Sequence, residues 1–438
     1  MKLITLVYSI LFTVNMYAQQ YNSWVFGNTN YIRFPGPTNV VNSAMNTSEG
    51  CASISDNSGN LLFYTNGVTV WNRNHVVMTN GTGLFGDNST TQSAIIVRQP
   101  GSTTLYWIFT VPESISPNPH CYSIVDMSLS GGLGAVTLKN VMVALSSTEK
   151  LIECKHSNGI DSWIITHERN NNTFRAVLLT SAGITQWSTS NAGMVVTNSI
   201  GQMKISPNLN RLAVCNYGQN RFCIYNFDNT TGFVSSEIVL STDVGPYGCE
   251  FSPDGRFLYL TFNNGANLYQ FDLCNNNQRV TIAASLGNFM GQMQAAPDGK
   301  IYIAQRTNNR IHVINNPNNL GAACFFSLNG YLPNGSGMFG LPNNPPNCPI
   351  PILLNYTYTL DCGNFNGIPP FINCAFTGYT YEWFVNNNSV STSSNLNIQL
   401  AANTQYTIRL NIYFRCYTYE VVEIVNTDVN GNTTLNSN

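Results

Sequence analysis

The chain has 438 residues, a formal net charge of −2 and only 9% charged residues. So few lysines and arginines argue against electrostatic binding to nucleic acid or to an anionic membrane, which need clustered positive charge. Aromatic residues make up 12% of the chain, β-branched residues are common, and no long window has the apolar spacing of a helix. The composition therefore predicts an all-β protein.

Residues 1–18 are predicted to be a secretory signal peptide. Lys2 precedes a short apolar run from Leu3 to Val14, and small or polar residues follow around Ala18. The run is too short to span a bilayer, and no later segment reaches the roughly 18 apolar residues that a span needs. We expect an exported protein without a membrane span, either secreted and extracellular or at the outer cell surface.

Residues 19–345 are predicted to form a β-propeller, because one hairpin motif recurs along them. The stretch SPDGRFLYLTF (252–262) returns as APDGKIYIAQR (296–306) and, less closely, as SPNLNRLAVCN (206–216). Each copy divides into four short strands, and about 45 residues is the period of a propeller blade. The turns of six copies recur at a mean step of 48 residues, at Gly59, Gly101, Gly159, Leu209, Gly255 and Gly299.

A second landmark supports the same period. GQM at 201–203 returns at 291–293, with GCE at 248–250 between them, and GCA at 50–52 resembles the same element. A seventh blade is predicted to be split between the chain ends, residues 22–36 and 322–343, which would close the ring by hydrogen bonds. The sequence thus predicts seven blades, with six as the alternative.

Residues 346–426 differ from the rest of the chain in their pattern of apolar and polar residues, and they follow the Pro-rich break LPNNPPNCPIPIL (341–353). Short runs there alternate apolar and polar residues, and their length fits a small β-sandwich of the PKD or Ig-like kind. Trp383 lies where a central strand would bury an aromatic side chain. The last segment, 427–438, is predicted to be a polar tail.

Twelve cysteines in an exported chain allow disulfides. Cys215 and Cys223 flank NYGQNRF symmetrically, so a hairpin there would place them opposite each other. In the C-terminal segment Cys362 can pair with Cys416 or with Cys374. Calcium is the only ion that the sequence suggests, at SDNSGN (55–60) and TDVNGN (427–432), but Asn/Asp turns explain both more simply. We therefore expect no cofactor.

The run from Met45 to Val97, with TSEGCASISDNSGNLLFYTNGVTVWNRNHVVM within it, resembles large exported surface proteins of Bacteroidetes-type bacteria. The phrase FGLPN (339–343) is similar to the one that closes their propeller. The resemblance implies an N-terminal propeller followed by PKD-like or Ig-like modules, and a role in gliding motility with type IX secretion. Family members usually end in a sorting domain, and none is recognised after residue 425, which leaves the anchoring route open.

A few side chains are candidates for ligand binding. Glu49, Glu153 and Glu250 lie near the start of predicted innermost strands, where carboxylates could reach the central channel. Trp71, Trp187 and Tyr217 could stack on sugars or pack against peptides from the loops. Packing between blades is at least as good an explanation for Trp71.

Two functions follow from this pattern. The first is a non-enzymatic binding, adhesion or scaffold protein that recognises a surface protein or a glycan, alone or in an exported assembly. The second is a propeller hydrolase or lyase acting on polysaccharide. We prefer the first, because the sequence shows no catalytic constellation: no H-E-x-x-H motif, no G-x-S-x-G elbow and no P-loop lysine. The ligand and the oligomeric state are not readable from the residues.

Overall fold

The computed structural model describes residues 19–114, 116–264, 267–284, 290–306, 309–346, 357–361, 364–368, 380–393, 395–414, 417–427 and 433–436. The predicted signal peptide lies outside these residues. The chain divides into two compact units, one spanning Asn15–Pro349 and a second that contains the described strands beyond it. None of the described residues forms a helix long and apolar enough to cross a membrane.

The first unit consists of seven blades, one of three strands and six of four strands; the outermost strands of blades 2 and 3 also pair, so that these two blades share one eight-stranded sheet. Within each blade, successive strands pair antiparallel in chain order. The strands of blades 1 to 3 are β1 Ser23–Phe26, β2 Asn30–Arg33, β3 Thr38–Asn39; β4 Ala52–Ser55, β5 Leu61–Thr65, β6 Thr69–Asn72, β7 Val77–Thr82; β8 Ala94–Arg98, β9 Leu105–Thr110, β10 His120–Asp126 and β11 Ala135–Ala144.

The remaining four blades follow the same plan. Their strands are β12 Leu151–Lys155, β13 Ser162–His167, β14 Asn171–Thr180, β15 Gly183–Val196; β16 Met203–Ile205, β17 Arg211–Asn216, β18 Arg221–Asp228, β19 Phe233–Ser241; β20 Pro246–Phe251, β21 Phe257–Phe262, β22 Asn267–Asp272, β23 Gln278–Ala284; β24 Met290–Ala295, β25 Ile301–Gln305, β26 Ile311–Ile314 and β27 Phe326–Tyr331. The first strand of each four-stranded blade is the innermost, since β4, β8, β12, β16, β20 and β24 contact one another in series. The predicted seven-bladed propeller is confirmed.

The seven blades form a closed ring, and the segment 335–343 closes it. Asn28 of blade 1 exchanges two backbone hydrogen bonds with Ser336, both 3.1 Å. Phe339 O accepts from Gln292 N of blade 7, and Phe339 N donates to Ser48 O, just before blade 2. The two ends of the propeller segment are therefore joined by hydrogen bonds, as the sequence predicted. The predicted division of strands was wrong in one respect, because Phe326–Tyr331 is the outer strand of blade 7.

The core lies between the blades, because each sheet has two apolar faces and each face packs on a neighbour. Ala52 and Ile54 of blade 2 pack with Ala94 and Ile96 of blade 3. Trp24 of blade 1 belongs to a cluster that also contains side chains of blades 2 and 7.

Glutamine side chains bridge the innermost strands near the axis. Gln202 Oε1 accepts hydrogen bonds from Cys249 N at 3.1 Å and Met293 N at 3.0 Å, and Gln202 Nε2 donates to Met293 O at 2.9 Å. Gln92 makes the same pair of bonds to Met203, 2.8 Å to its N and 3.1 Å to its O. A single amide thus satisfies backbone groups of other blades.

The second unit contains two antiparallel sheets, of three and five strands in the orders β28-β29-β32 and β31-β30-β33-β34-β35. Trp383 and Leu410, on neighbouring strands, are fully buried. The strands are β28 Thr357–Asp361, β29 Asn364–Ile368, β30 Thr380–Val385, β31 Asn388–Ser391, β32 Leu396–Gln399, β33 Gln405–Phe414, β34 Tyr417–Thr427 and β35 Thr433–Asn436. The expected small C-terminal sheets are present.

The predicted disulfide between Cys215 and Cys223 is not formed, and both residues are free and buried. The register explains this, because Cys215 pairs with Phe222 and Cys223 pairs with Val214. The two thiols therefore lie one position apart and point to opposite faces of the sheet. Cys362, Cys374 and Cys416 lie outside the described residues. Cys274 is disulfide-bonded.

Alkylation of the full chain should show this thiol pattern. Cys215 and Cys223 should both be alkylated by iodoacetamide after denaturation without a reductant, because neither is oxidised, and both should resist the reagent in the native fold. Cys274 should be alkylated only after reduction. A tryptic peptide linking Cys215 to Cys223 would contradict the register.

Candidate functional site

The start of each innermost strand lies at one mouth of the central channel, where backbone bonds connect consecutive blades. The connections between blades and the loops after the second strands meet on this face, which we call the mouth face. The bonds that run round it are Glu49 N to Asn88 O, Gln92 N to Glu149 O, Glu149 N to Ser199 O, Gln202 N to Tyr247 O, Gln292 N to Phe339 O and Phe339 N to Ser48 O.

Four side chains converge there, and we call them the mouth cluster: Glu49, Glu149, Tyr247 and Phe339. Glu49, Glu149 and Tyr247 come from the starts of blades 2, 4 and 6, and Phe339 comes from the closing segment. Charge repulsion between Glu49 and Glu149 and contacts of Tyr247 with Glu49 and Phe339 connect the four. The Tyr247 and Phe339 ring centroids are 5.8 Å apart.

Glu149 is almost fully buried and fully engaged. Its Oε2 accepts hydrogen bonds from Thr91 N at 3.0 Å and Thr91 Oγ1 at 2.8 Å, and its Oε1 accepts from Ser114 Oγ at 2.9 Å. These three donors occupy much of the acceptor capacity of the carboxyl group. The next residue, Lys150, is also buried and donates to Ser199 O at 2.8 Å and Ile200 O at 3.1 Å. Burial lowers the pKa of Lys150 to about 8.

Glu49 has a different environment. Burial raises the pKa of its carboxyl to about 8, and repulsion by Glu149 and Glu113 adds to the shift, while the nearby Tyr247 hydroxyl and Arg306 oppose it. The Tyr247 hydroxyl faces Glu49 and Thr91, is fully buried and makes no hydrogen bond of good geometry. The Glu49 carboxyl is therefore mostly protonated at neutral pH, beside a phenol that lacks a firm partner.

Two further charged groups border the cluster. Glu113 follows the second strand of blade 3, and burial and the nearby Asp87 and Glu149 raise its pKa. Arg306 follows the second strand of blade 7, is exposed, and has its guanidinium carbon 5.3 Å from the centre of the Phe339 ring. Acidic groups thus outnumber Arg306 at the rim of the mouth.

The predicted site residues have distinct positions. Tyr217, in the turn after the second strand of blade 5, contacts Tyr247 at 6.5 Å between ring centroids and so borders the mouth cluster with Glu49. Trp187 is 49% exposed on β15, the outermost strand of blade 4, and lies on the outer rim. Trp71 stacks on Tyr64 and packs against the core near blade 1.

The other two predicted carboxylates are buried in innermost strands and have protein partners. Glu250 forms an ion pair with Lys204 at 3.0 Å and accepts hydrogen bonds from Phe251 N and Ala295 N, both at 3.0 Å. Glu153 lies 3.9 Å from the Lys155 ammonium. Since their charge is balanced by lysines of the chain, Glu250 and Glu153 serve packing better than ligand binding.

The candidate calcium turn at 55–60 uses its oxygens internally. Asp56 Oδ1 accepts from Ser58 N at 2.8 Å and Asn60 N at 2.9 Å, which is the pattern of an Asx turn. The second candidate, 427–432, lies outside the described residues except for Thr427. Among the described residues, no group of three or more His, Cys, Asp or Glu side chains is arranged to hold a metal ion.

Glu149, Tyr247, Phe339, Glu113 and Arg306 were not predicted as site residues. A signal for part of the cluster exists in the repeat, because Glu49 and Tyr247 come directly before the glycine that marks an innermost strand, and Phe339 comes directly before Gly340 of the closing segment. Equivalent positions in successive blades meet round the axis of a propeller, so this column predicts convergence. Glu149 has Lys150 in place of the glycine, which obscures the match.

Ionisation of Glu49 should weaken the fold as pH rises. The folded state keeps the proton up to about pH 8, whereas the unfolded state releases it near pH 4.5, so stability falls with pH between these values. Glu49→Gln removes this decline. The variant should match the parent in urea unfolding at about pH 4.5 and exceed it at about pH 8.5. Equal pH profiles for the two proteins would contradict a buried, protonated Glu49.

The chain is thus a seven-bladed β-propeller with additional small sheets at its C-terminal end. Residues 190–324 match the family model described as Lactonase, 7-bladed beta-propeller. The matched part runs from the end of blade 4 to blade 7 and contains Tyr247 and Arg306, but neither Glu49 nor Glu149. No curated protein matches the chain.

Several solved structures are similar to the chain at low identity. Hydrazine synthase of Kuenenia stuttgartiensis is 14% identical, with 73% of this chain and 92% of that chain covered and a TM-score of 0.43. A Bacteroides uniformis protein described as a "putative 6-phosphogluconolactonase" is 12% identical, with 88% and 98% covered and a TM-score of 0.39. The extracellular domain of a "putative hybrid two component system" of B. thetaiotaomicron is 14% identical, with 87% and 56% covered and a TM-score of 0.39. Similarity at this level assigns no function to the chain.

Proposed function

We propose that the chain is an exported, non-enzymatic recognition protein that binds a surface protein or a glycan with its mouth face. One observation carries the proposal: side chains of alternate blades converge on a mouth where a buried phenol makes no hydrogen bond of good geometry and faces a protonated carboxyl. Propeller loops suit recognition because a rigid ring holds them on one face.

Export is part of the proposal. The predicted signal peptide and the disulfide at Cys274 both suit an oxidising compartment outside the cytosol. The resemblance to gliding-motility-associated surface proteins suggests a role in adhesion or as a scaffold in an exported assembly. We assign the C-terminal sheets to a PKD or Ig-like module that spaces or attaches the propeller.

A hydrolase is the second candidate, and two observations favour it. The mouth pairs a protonated carboxyl, Glu49, with Glu149, which is held by three donors, and such a pair can divide acid and base roles. The lactonase match covers blades 5 and 6 and the first three strands of blade 7. Glu113 and Asp87 at the rim oppose an anionic substrate, so a phosphorylated lactone fits this mouth poorly.

Retention and product release separate the two candidates. The full chain is immobilised and exposed to a glycan array and to surface extracts, and reducing-sugar and lactone-hydrolysis assays run in parallel. We expect the immobilised chain to retain a ligand without forming product. Retention should be lost in Tyr217→Ala and Arg306→Ala and kept in Trp187→Ala, a variant on the outer rim. Product release that disappears in Glu49→Gln would replace the binding function with the hydrolase. Equal retention by all three variants would place binding outside the mouth face.

A further inference from the structure

We propose that the mouth cluster binds a neutral, hydroxyl-rich ligand, a glycosyl unit, and that the Glu49 carboxyl acts there as a hydrogen-bond donor. This inference rests on the proposed recognition function and names the ligand class. It follows from which polar groups of the mouth have partners and which do not.

Glu149 has little capacity left for a ligand. Thr91 and Ser114 supply three hydrogen bonds to its two oxygens, and Lys150 places a buried ammonium beside it. Its negative charge is thus used inside the protein. A cationic ligand would find that charge already compensated.

The Tyr247 hydroxyl is the group that needs a partner. The side chain is fully buried, and its oxygen makes no hydrogen bond of good geometry although it faces Glu49 and Thr91. A buried hydroxyl without a good hydrogen bond is unfavourable, so a ligand that bonds to it gains affinity. A ligand hydroxyl can both donate to and accept from a phenol, which a metal ion or an ammonium group cannot.

The surroundings of Glu49 favour a neutral ligand. The charged and titratable groups that face its carboxyl are Glu149, Tyr247, Glu113 and Arg306. Asp87 acts on Glu113, and Lys150 acts on Glu149. In its protonated form Glu49 donates one hydrogen bond, and Glu113 and Asp87 at the rim oppose phosphorylated or uronic sugars.

Aromatic rings provide the apolar side of the site. Phe339 and Tyr217 both contact Tyr247, at 5.8 Å and 6.5 Å between ring centroids, and Tyr217 is partly exposed. A sugar ring has an apolar face that packs on aromatic rings while its hydroxyls reach polar groups. The mouth combines both features within one cluster.

The test uses the full chain and oligosaccharides of matched size. Cellotriose, maltotriose, xylotriose and triacetylchitotriose are the neutral probes, deacetylated chitotriose is the cationic probe and trigalacturonate the anionic probe. Titration calorimetry at about pH 6.5 should show binding of at least one neutral probe, with both charged probes at least about tenfold weaker. Equal or tighter binding of a charged probe, or binding of no neutral probe, would overturn the inference.

Variants of Glu49 test the donor role. Glu49→Gln keeps a neutral donor, so its affinity should stay within about threefold of the parent, whereas Glu49→Ala and Tyr247→Phe should weaken binding about tenfold and several-fold. Above about pH 8 the parent should lose about tenfold in affinity per pH unit, and Glu49→Gln should not. Thermal melting of each variant controls for folding.

Two outcomes distinguish this inference from the function on which it rests. Loss of binding in the well-folded Glu49→Gln variant would overturn the donor role, because a ligand would then require the carboxylate. Retention of a surface protein that depends on Tyr217, with no oligosaccharide bound, would overturn the glycosyl assignment and leave the recognition function standing.

Discussion

Replacing Gln202 with leucine is expected to destabilise the propeller by about 2–5 kcal/mol, since two buried backbone N–H groups lose their acceptor at about 1–3 kcal/mol each. Those groups are Cys249 N and Met293 N, which belong to blades 6 and 7. Met293 O also loses its donor. Leucine has nearly the volume of glutamine, so packing alone cannot account for a loss of this size.

Gln186→Leu provides the matched control. Gln186 is exposed on β15, the outermost strand of blade 4, so the same exchange there should change stability by no more than about 0.5 kcal/mol. Urea unfolding followed by tryptophan fluorescence measures both variants. Similar midpoints for Gln202→Leu and Gln186→Leu would show that the amide does not connect the blades.

Gly340→Ala is expected to destabilise the ring by about 3 kcal/mol or more, because it places an atom where the chain closes. A Cβ at Gly340 would lie 1.7 Å from Glu49 O and 2.1 Å from Glu49 C. Both contacts are with backbone, so the closing segment or the start of blade 2 must move. The hydrogen bonds from Phe339 N to Ser48 O and from Asn343 N to Cys51 O lie on either side of the contact.

Gly83→Ala separates this clash from the general effect of a lost glycine. Gly83 has a φ of +73° and no atom within 4 Å of an added Cβ, so only backbone strain of about 1–2 kcal/mol is expected there. The two variants are compared by urea unfolding and by limited proteolysis of the segment 335–343. A Gly340→Ala protein as stable as Gly83→Ala would mean that the ring does not close through this contact.

The repeat architecture could be predicted from the sequence because its cause is local. Asp-Gly dipeptides such as Asp254-Gly255 favour tight hairpin turns, and the φ of Gly255 is indeed +70°. Turns copied at a near-constant step then require sheets that pack in series, and closure into a ring removes the unpaired edges. The number of blades followed from counting six copies of the hairpin and adding one blade formed where the two ends of the propeller segment meet.

Side-chain pairs between innermost strands were harder to predict, although the repeat contains part of the information. Lys204, Glu250 and Gln294 each lie two residues before the residue that starts the hairpin turn. Equivalent positions of neighbouring innermost strands meet, and so Lys204 pairs with Glu250. Taken alone, Glu250 suggested a carboxylate free to bind a ligand. Alignment of the repeats instead places Lys204 at the equivalent position of the neighbouring blade, as its cationic partner.

Two features could not be predicted from the sequence: the exact register of strand pairing and the convergence of residues from distant blades. The sequence places Cys215 and Cys223 symmetrically about Gln219, but the observed pairing is shifted by one residue, which sends the two thiols to opposite faces. Glu149 reaches the mouth only because the closed ring brings blade 4 near blades 2 and 6. Neither fact is encoded by spacing along the chain.

Carboxyl NMR of the full chain with ¹³C-labelled glutamate tests the central claim most directly, with Glu49→Gln to assign the signal. If burial and the neighbouring acids shape the mouth as described, the Glu49 signal titrates near pH 8 and shifts to lower pH in Glu149→Gln. A Glu49 signal that titrates near the ordinary glutamate value of about 4.3, unmoved by Glu149→Gln, would contradict both the mouth cluster and the donor role built on it.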